Sequence, residues 1–143
     1  MVGTSWWSED RFEQADVLSW ISFQQSSLML PLAQLRLHRA LHPHRFVDPQ
    51  MVKGWEQQAG QALGCLNDRL SELSDSDWLA TAGHPSVADV VVYPYTRLAR
   101  IGGIDLEVMP AVGKWLQRFE SLPNYSPLIS GHPELNESTV EML

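Results

Sequence analysis

The stretch His84–Ile104, HPSVADVVVYPYTRLARIGGI, decides how the rest of this chain is read. Ser86 and Asp89 stand three apart before an apolar run. The Ser86 hydroxyl can accept the Asp89 amide while the Asp89 carboxylate reaches back to the Ser86 amide, a capping box with Asp in the usual Glu/Gln place. Pro85 and Val90 flank it as a hydrophobic staple, and a first-turn carboxylate suits the positive end of a helix dipole. The residues that follow, Val87, Ala88, Val90, Val91, Val92, Tyr93 and Tyr95, are apolar or aromatic on every side, so the helix is expected at the centre of the fold. Three successive valines favour a strand by propensity. The box before them and the stop formed by Arg97, Arg100, Gly102 and Gly103 favour a helix, kinked at Pro94.

Working outward, the 143 residues are 44% hydrophobic, enough for one globular domain with a core of its own. A net charge of -7 argues against a nucleic-acid surface, which needs concentrated Lys and Arg. The single cysteine permits no internal disulfide, and no signal peptide or membrane-length apolar run is found, so a cytoplasmic protein with no membrane partner is expected.

Before the central helix, Trp6 and Trp7 precede a start signal in which Ser8 is a plausible cap with Glu9 and Asp10 in the first turn. The two rings either fold back on their own core or lie against a neighbouring domain or subunit. Phe12, Val17, Trp20, Ile21, Leu28, Leu32, Leu35 and Leu41 then predict one long helix, kinked near Pro31 and fraying at His42-Pro43. Gln24, Gln25, Ser26 and Ser27 fall in its middle, facing either solvent or a polar cleft. Asp48-Pro49 opens a second helix, to about Leu73, with Val52, Trp55, Ala59, Ala62, Leu66, Leu70 and Leu73 as its stripe. Cys65 adjoins that stripe and reads as a small core side chain. Trp78-Leu79 anchors the next loop in the core. Pro110 starts the last clear helix, whose Val112, Trp115, Leu116 and Phe119 form one face, and Leu122-Pro123 ends it. No alternating strand pattern occurs, so the fold class is all-α, a helical bundle with a buried, capped central helix.

Chemistry-bearing residues are sparse. Arg36, His38, Arg39, His42, His44 and Arg45 cluster within ten positions. They read as a solvated basic helix end, an anion-binding patch, or, through His38 and His42 at i and i+4, part of a metal site that no nearby carboxylate or Cys completes. Tyr93, Tyr95 and Arg97 adjoin the Pro94 kink, where a Tyr hydroxyl either faces a cleft or is satisfied in the core. Asp89 is already explained by capping. There is no Gly-rich phosphate loop, G-x-S-x-G or C-x-x-C.

Four motifs in order, Trp78-Leu79, Pro85-Ser86-Val87-Ala88-Asp89, Gly102-Gly103-Ile104-Asp105-Leu106, and Pro110-Ala111-Val112 with Trp115, Phe119 and Leu122-Pro123, resemble the C-terminal helical domain of glutathione transferases. Trp20-Ile21-Ser22-Phe23 is similar to bacterial transferases and to the transferase-like domain of the translation elongation factor 1 gamma subunit. The resemblance covers residues 4 to 128, and the Trp78 to Pro85 connection is one residue longer than the family pattern. It implies a linker-like start at 1–8, a helical domain at 9–128 and an acidic tail at 129–143; by its own residues the tail reads as an irregular extension with a short helical turn near Thr139. Val2-Gly3-Thr4-Ser5 is similar to the family's interdomain linker.

In that family a thioredoxin-like N-terminal domain holds glutathione and activates its thiol, and the helical domain walls the electrophile site. Carried over, the wall comprises Gln24, Ser27, Leu30, Pro31 and Gln34, with Tyr93 and Arg97. The resemblance implies no catalytic residue in this chain and glutathione as cofactor only where a thioredoxin-like domain is joined to or paired with it. It also implies subunit contacts, as a homodimer or with such a partner. The alternative is a free-standing protein-protein interaction module, as in translation complexes.

Overall fold

The first two turns of the fold are set by a carboxylate and a hydroxyl working in relay. In a computed structural model, which describes residues 6–128, Asp10 caps helix α1 (Arg11–Phe23) by accepting the N–H groups of Phe12 at 2.8 Å and Glu13 at 3.0 Å. The expected cap, Ser8, lies two residues outside. It is buried, accepts the Asp10 N–H at 3.0 Å and donates to the Glu13 carboxylate, whose other oxygen accepts Ala82 N–H at 2.8 Å. An Asp at the cap is worth about 1 kcal/mol, and here it frees Ser8 to tie the helix start to the loop before the central helix.

Pro31 does not break the long first helix. α1 continues through a π turn at Gln24–Leu28 into α2 (Met29–Arg36) and a second π turn at Leu37–Leu41. The ring of Pro31 removes one amide and crowds the carbonyl of Ser27, four residues back. Widening the preceding turn answers both, and Met29 N–H reaches the Gln24 carbonyl five residues back. Val17, Leu28, Leu32 and Leu35 face the core, but Phe12, expected on that stripe, is 85% exposed.

Helix α3 (Pro49–Glu72) starts as the Asp-Pro pair requires, with Asp48 accepting Gln50 N–H at 2.8 Å and Pro49 in the first turn. It runs antiparallel to the continuous rod from Arg11 to Leu41, so Cys65 and Ala62 lie beside Ser27 and Leu30 while Met51 and Trp55 lie beside Leu37 and His38. Ala59, Ala62, Leu63 and Leu66 are its buried face.

Helix α4 (Val87–Arg97) occupies the middle of the bundle, against α1, α2 and α5 (Pro110–Glu120). One expectation for it needs correcting. Val90 is exposed and Val91 only half-buried, so one strip reaches the surface, and the buried face carries Asp89, Thr96 and Arg97 beside Ala88, Val92 and Tyr93. Three valines measured hydrophobicity without showing that polar side chains hold the buried side. Pro94 is accommodated inside the helix. The carbonyl it leaves without a donor belongs to Val90, on the exposed strip.

A 3-10 segment, Leu98–Gly102, closes α4 against α2. Gly103 ends it with φ of 80°, and a Cβ there would come within 2.6 Å of Arg39 Nη1. Both facts call for glycine. α5 lacks a capping side chain of its own, and Asn67 of α3 supplies one across the bundle, its Oδ1 accepting Ala111 N–H at 3.1 Å and Val112 N–H at 3.3 Å. Trp78 and Leu79 are buried, with the Arg118 guanidinium 4.0 Å above the Trp78 ring. The described residues contain only helices and turns, and none of these helices is long and apolar enough to cross a membrane. The linker-like residues 1–5, the tail 129–143 and the turn near Thr139 lie outside the described residues.

Candidate functional site

The capping box at the start of α4 is also the polar hub of the core. Asp89 Oδ2 accepts Ser86 N–H at 2.9 Å, and Ser86 Oγ accepts Ala88 N–H at 3.3 Å. Asp89 Oδ1 accepts Leu79 N–H at 3.2 Å and Trp115 Nε1–H at 2.9 Å. One wholly buried carboxylate therefore joins the helix start, the Trp78-Leu79 anchor and α5. Burial pushes its pKa above the ordinary 3.8, outweighing the hydrogen bonds from Ser86, Trp115 and Leu79 that favour the ionised form. With every oxygen engaged, Asp89 faces the core and no cavity.

The π turn at Gln24–Leu28 builds the surface feature of most interest. By widening the helix it turns Gln24 inward, where its Oε1 accepts Gln25 Nε2–H at 2.7 Å, and leaves Ser26 and Ser27 on the outside. Beside them Leu30 and Pro31 face α3 across a groove of about 440 Å³, whose far side is Gln58, Gln61, Ala62 and Cys65. The floor is apolar, from Leu30, Pro31, Ala62 and Phe23, and the rim carries two hydroxyls and two amides. Neither a cation nor a carboxylate lines it. Such a cleft suits an uncharged, largely apolar molecule oriented by a few hydrogen bonds.

Of the seven residues expected at a binding wall, Ser27, Leu30 and Pro31 share this groove. Gln34, one turn on, borders a second cavity at the far end of the rod. Gln24 is buried. Tyr93 and Arg97 lie in a separate buried cluster: Tyr93 Oη donates to Glu120 Oε1 at 2.9 Å and is 2.6 Å from Tyr125 Oη, while its ring stacks on Phe119 at 4.2 Å. Arg97, 1% exposed, places Nε 2.6 Å from Glu120 Oε1 as an ion pair too misaligned to count as a hydrogen bond, and its Nη atoms have no hydrogen-bond partner. A buried arginine held by one glutamate is a core feature of α4 and α5.

Cys65 is exposed in the groove, contrary to its expected place in the core. Ala62 and Leu66 take the buried positions on either side, which rotates Cys65 outward. Gln58, Gln61 and Cys65 were legible in principle, since i, i+3 and i+7 from Gln58 fall on one helical face, but nothing in the sequence said which face the neighbouring rod would meet. The described residues contain no group of three or more His, Cys, Asp or Glu able to hold a metal.

Residues 32–123 match the family model of the glutathione S-transferase C-terminal domain. The chain is 28% identical over 116 residues to the disulfide-bond oxidoreductase YfcG of Escherichia coli K12, covering 81% of this chain and 51% of that protein, so it spans about half the length of this curated relative. The crystal structure of a glutathione S-transferase from Pseudomonas fluorescens Pf-5 superposes with a TM-score of 0.79 at 26% identity, over 88% of this chain and 61% of that one. Yeast Ure2p in complex with S-hexylglutathione shares the fold at a TM-score of 0.71 and 21% identity, over 83% of this chain and 56% of its own. With the family model spanning more than half the chain, this protein belongs to the glutathione S-transferase C-terminal domain family.

Proposed function

We propose that this chain is the electrophile-binding half of a glutathione transferase, acting as a homodimer in the cytoplasm with a thioredoxin-like domain joined to or paired with it. In this reading residues 1–8 are the linker, 9–128 the working domain and 129–143 an acidic extension. The observation that carries it is the convergence of Ser27, Leu30 and Pro31 with Gln58 and Gln61 on one groove of about 440 Å³. Its lining does not fit glutathione itself, because no cation is present to pair with the tripeptide's carboxylates. Thiol binding and activation therefore belong to the thioredoxin-like half.

The groove's own task is burial and orientation. Phe23, Leu30, Pro31 and Ala62 cover an apolar body, while the Ser26, Ser27, Gln58 and Gln61 polar groups fix its direction. Mixing the full chain with a bacterial thioredoxin-like transferase domain should yield conjugation of glutathione to 1-chloro-2,4-dinitrobenzene above the sum of the separate parts. Leu30→Asp should raise KM by about tenfold, the cost of about 1.4 kcal/mol of lost apolar contact. No conjugation from the mixture counts against the proposal.

A second reading, a free-standing assembly module, draws on a different observation. Trp6 and Trp7 remain 44% and 41% exposed although the Trp6 carbonyl is anchored by Val87 N–H at 2.8 Å, and Phe12 lies bare nearby in sequence. Exposed aromatic side chains beside an anchored stretch of backbone suit a contact surface. Sedimentation of the full chain tests it, and a monomer at all concentrations that retains no protein partner from lysate would rule it out.

A further inference from the structure

The second cavity, about 430 Å³, lies where the rod ends and α3 begins, and shares no lining residue with the groove above. Its apolar wall includes Phe46, Met51 and Trp55, of which Phe46 is 87% exposed and Met51 more than half exposed. Water thus covers a large aromatic face beside an open hollow, a costly arrangement that a bound apolar body would relieve. The polar lining is basic, from His38, His42 and Arg45.

The engagement of these groups is what distinguishes them from the rest of the basic stretch. Arg39 is used by the fold, donating to the Gly102 carbonyl at 2.7 Å and pairing with Glu56. Asp48, the one acid at the cavity, caps α3 through one oxygen, which accepts the Gln50 amide, and forms no ion pair with Arg45, His42 or His38. Among the described residues the side chains of His38, His42 and Arg45 have no hydrogen-bond or ion-pair partner, and His38 Nδ1 is buried without one. Three idle basic groups beside an open apolar wall, in a chain of net charge -7, await an anion.

We propose that this cavity binds a small aromatic carboxylate, its ring against Phe46 and Trp55 and its carboxylate on Arg45 with His42 and His38 beside it. A monoanion fits because Arg45 is the single permanent cation, and its planar fork matches a carboxylate. The imidazoles add ring nitrogens that can hydrogen-bond the carboxylate, and neither ring is engaged by another protein group among the described residues. A flat ring fits because Trp55 and Phe46 offer aromatic faces.

The test is calorimetric titration of the full chain with 2-naphthoate and with the neutral 2-naphthamide. Naphthoate should bind at least about tenfold more tightly, the difference set by a charge-assisted contact. Arg45→Gln should abolish that preference, and Phe46→Ala should weaken both ligands by about fivefold or more. Both residues are exposed at a turn, so the fold should survive each change, to be checked by circular dichroism. Equal binding of acid and amide, or variants that bind like the parent, would overturn the proposal. So would a concentration-dependent dimer dissolved by Phe46→Ala with no naphthoate binding, which would make the cavity a contact between copies.

Discussion

Asp89 and Arg45 are both ionisable, and the chain treats them in opposite ways. Asp89 is buried with donors from Ser86, Leu79 and Trp115 around it, while Arg45 borders an open cavity with no partner among the described residues. The difference lies in what each region does for stability. Around Asp89, three segments far apart in sequence meet, and a single acceptor serves them all. Around Arg45 a loop joins two neighbouring helices, and its side chains are free to serve something else. Binding capacity is drawn from parts of a molecule that folding does not consume.

The sharpest way to break this contrast is Asp89→Ala. Three buried donors, Ser86 N–H, Leu79 N–H and Trp115 Nε1–H, would lose their acceptor, at roughly 1–3 kcal/mol each, so a loss of about 4 kcal/mol or more is expected in urea denaturation. Asp89→Asn keeps one acceptor oxygen but aims an amide at a donor, and should cost about half as much. A pH series sharpens the point. Because burial holds the folded-state pKa above the unfolded value, the wild type's margin over Asp89→Asn should be fullest below about pH 3.9 and shrink as pH rises through the folded pKa. A margin that grows with pH would mean that the hydrogen bonds outweigh burial.

Next in size is Gly103→Ala, which tests the seam between the two regions. A non-glycine residue at φ of 80° costs about 1–2 kcal/mol, and the added methyl must also displace Arg39. In an Arg39→Ala background the same change should cost less, because only the backbone strain remains. Equal costs in both backgrounds, by thermal or urea unfolding, would show that Arg39 yields freely. Asp48→Ala should follow at about 1 kcal/mol, since Asp48 satisfies one helix amide at an exposed end.

The helix starts were the most legible part of this molecule, because caps are local. Ser86 with Asp89, and Asp48 with Pro49, act within three residues of themselves. Asp10 was misassigned in favour of Ser8 because both can cap, and the choice was made by Glu13 and Ala82, the latter 69 residues further along the chain. The same limit governed the groove. Ser27, Leu30 and Pro31 are named from the family's wall, but the π turn that leaves Ser27 outside and turns Gln24 inward is a response to Pro31, which is buried beside α3. Exposure of Cys65 and Val90 depended likewise on which face met a neighbour, which periodicity alone leaves open.

Phe46→Ala closes the series with the smallest expected effect on folding. A phenylalanine in a core gives up about 3–5 kcal/mol when cut to alanine, yet Phe46, 87% exposed, should change stability by no more than about 0.5 kcal/mol. The measurement is urea unfolding of Phe46→Ala beside Phe119→Ala, whose ring is buried against Tyr93. A near-neutral Phe46 and a costly Phe119 would show that equal side chains have been assigned to different work, one to the core and one to the cavity beside Arg45. A loss of 2 kcal/mol or so at Phe46 would instead mean that its ring supports the turn between the rod and α3. The idle bases beside it would then lack the uncommitted wall that makes them a binding site.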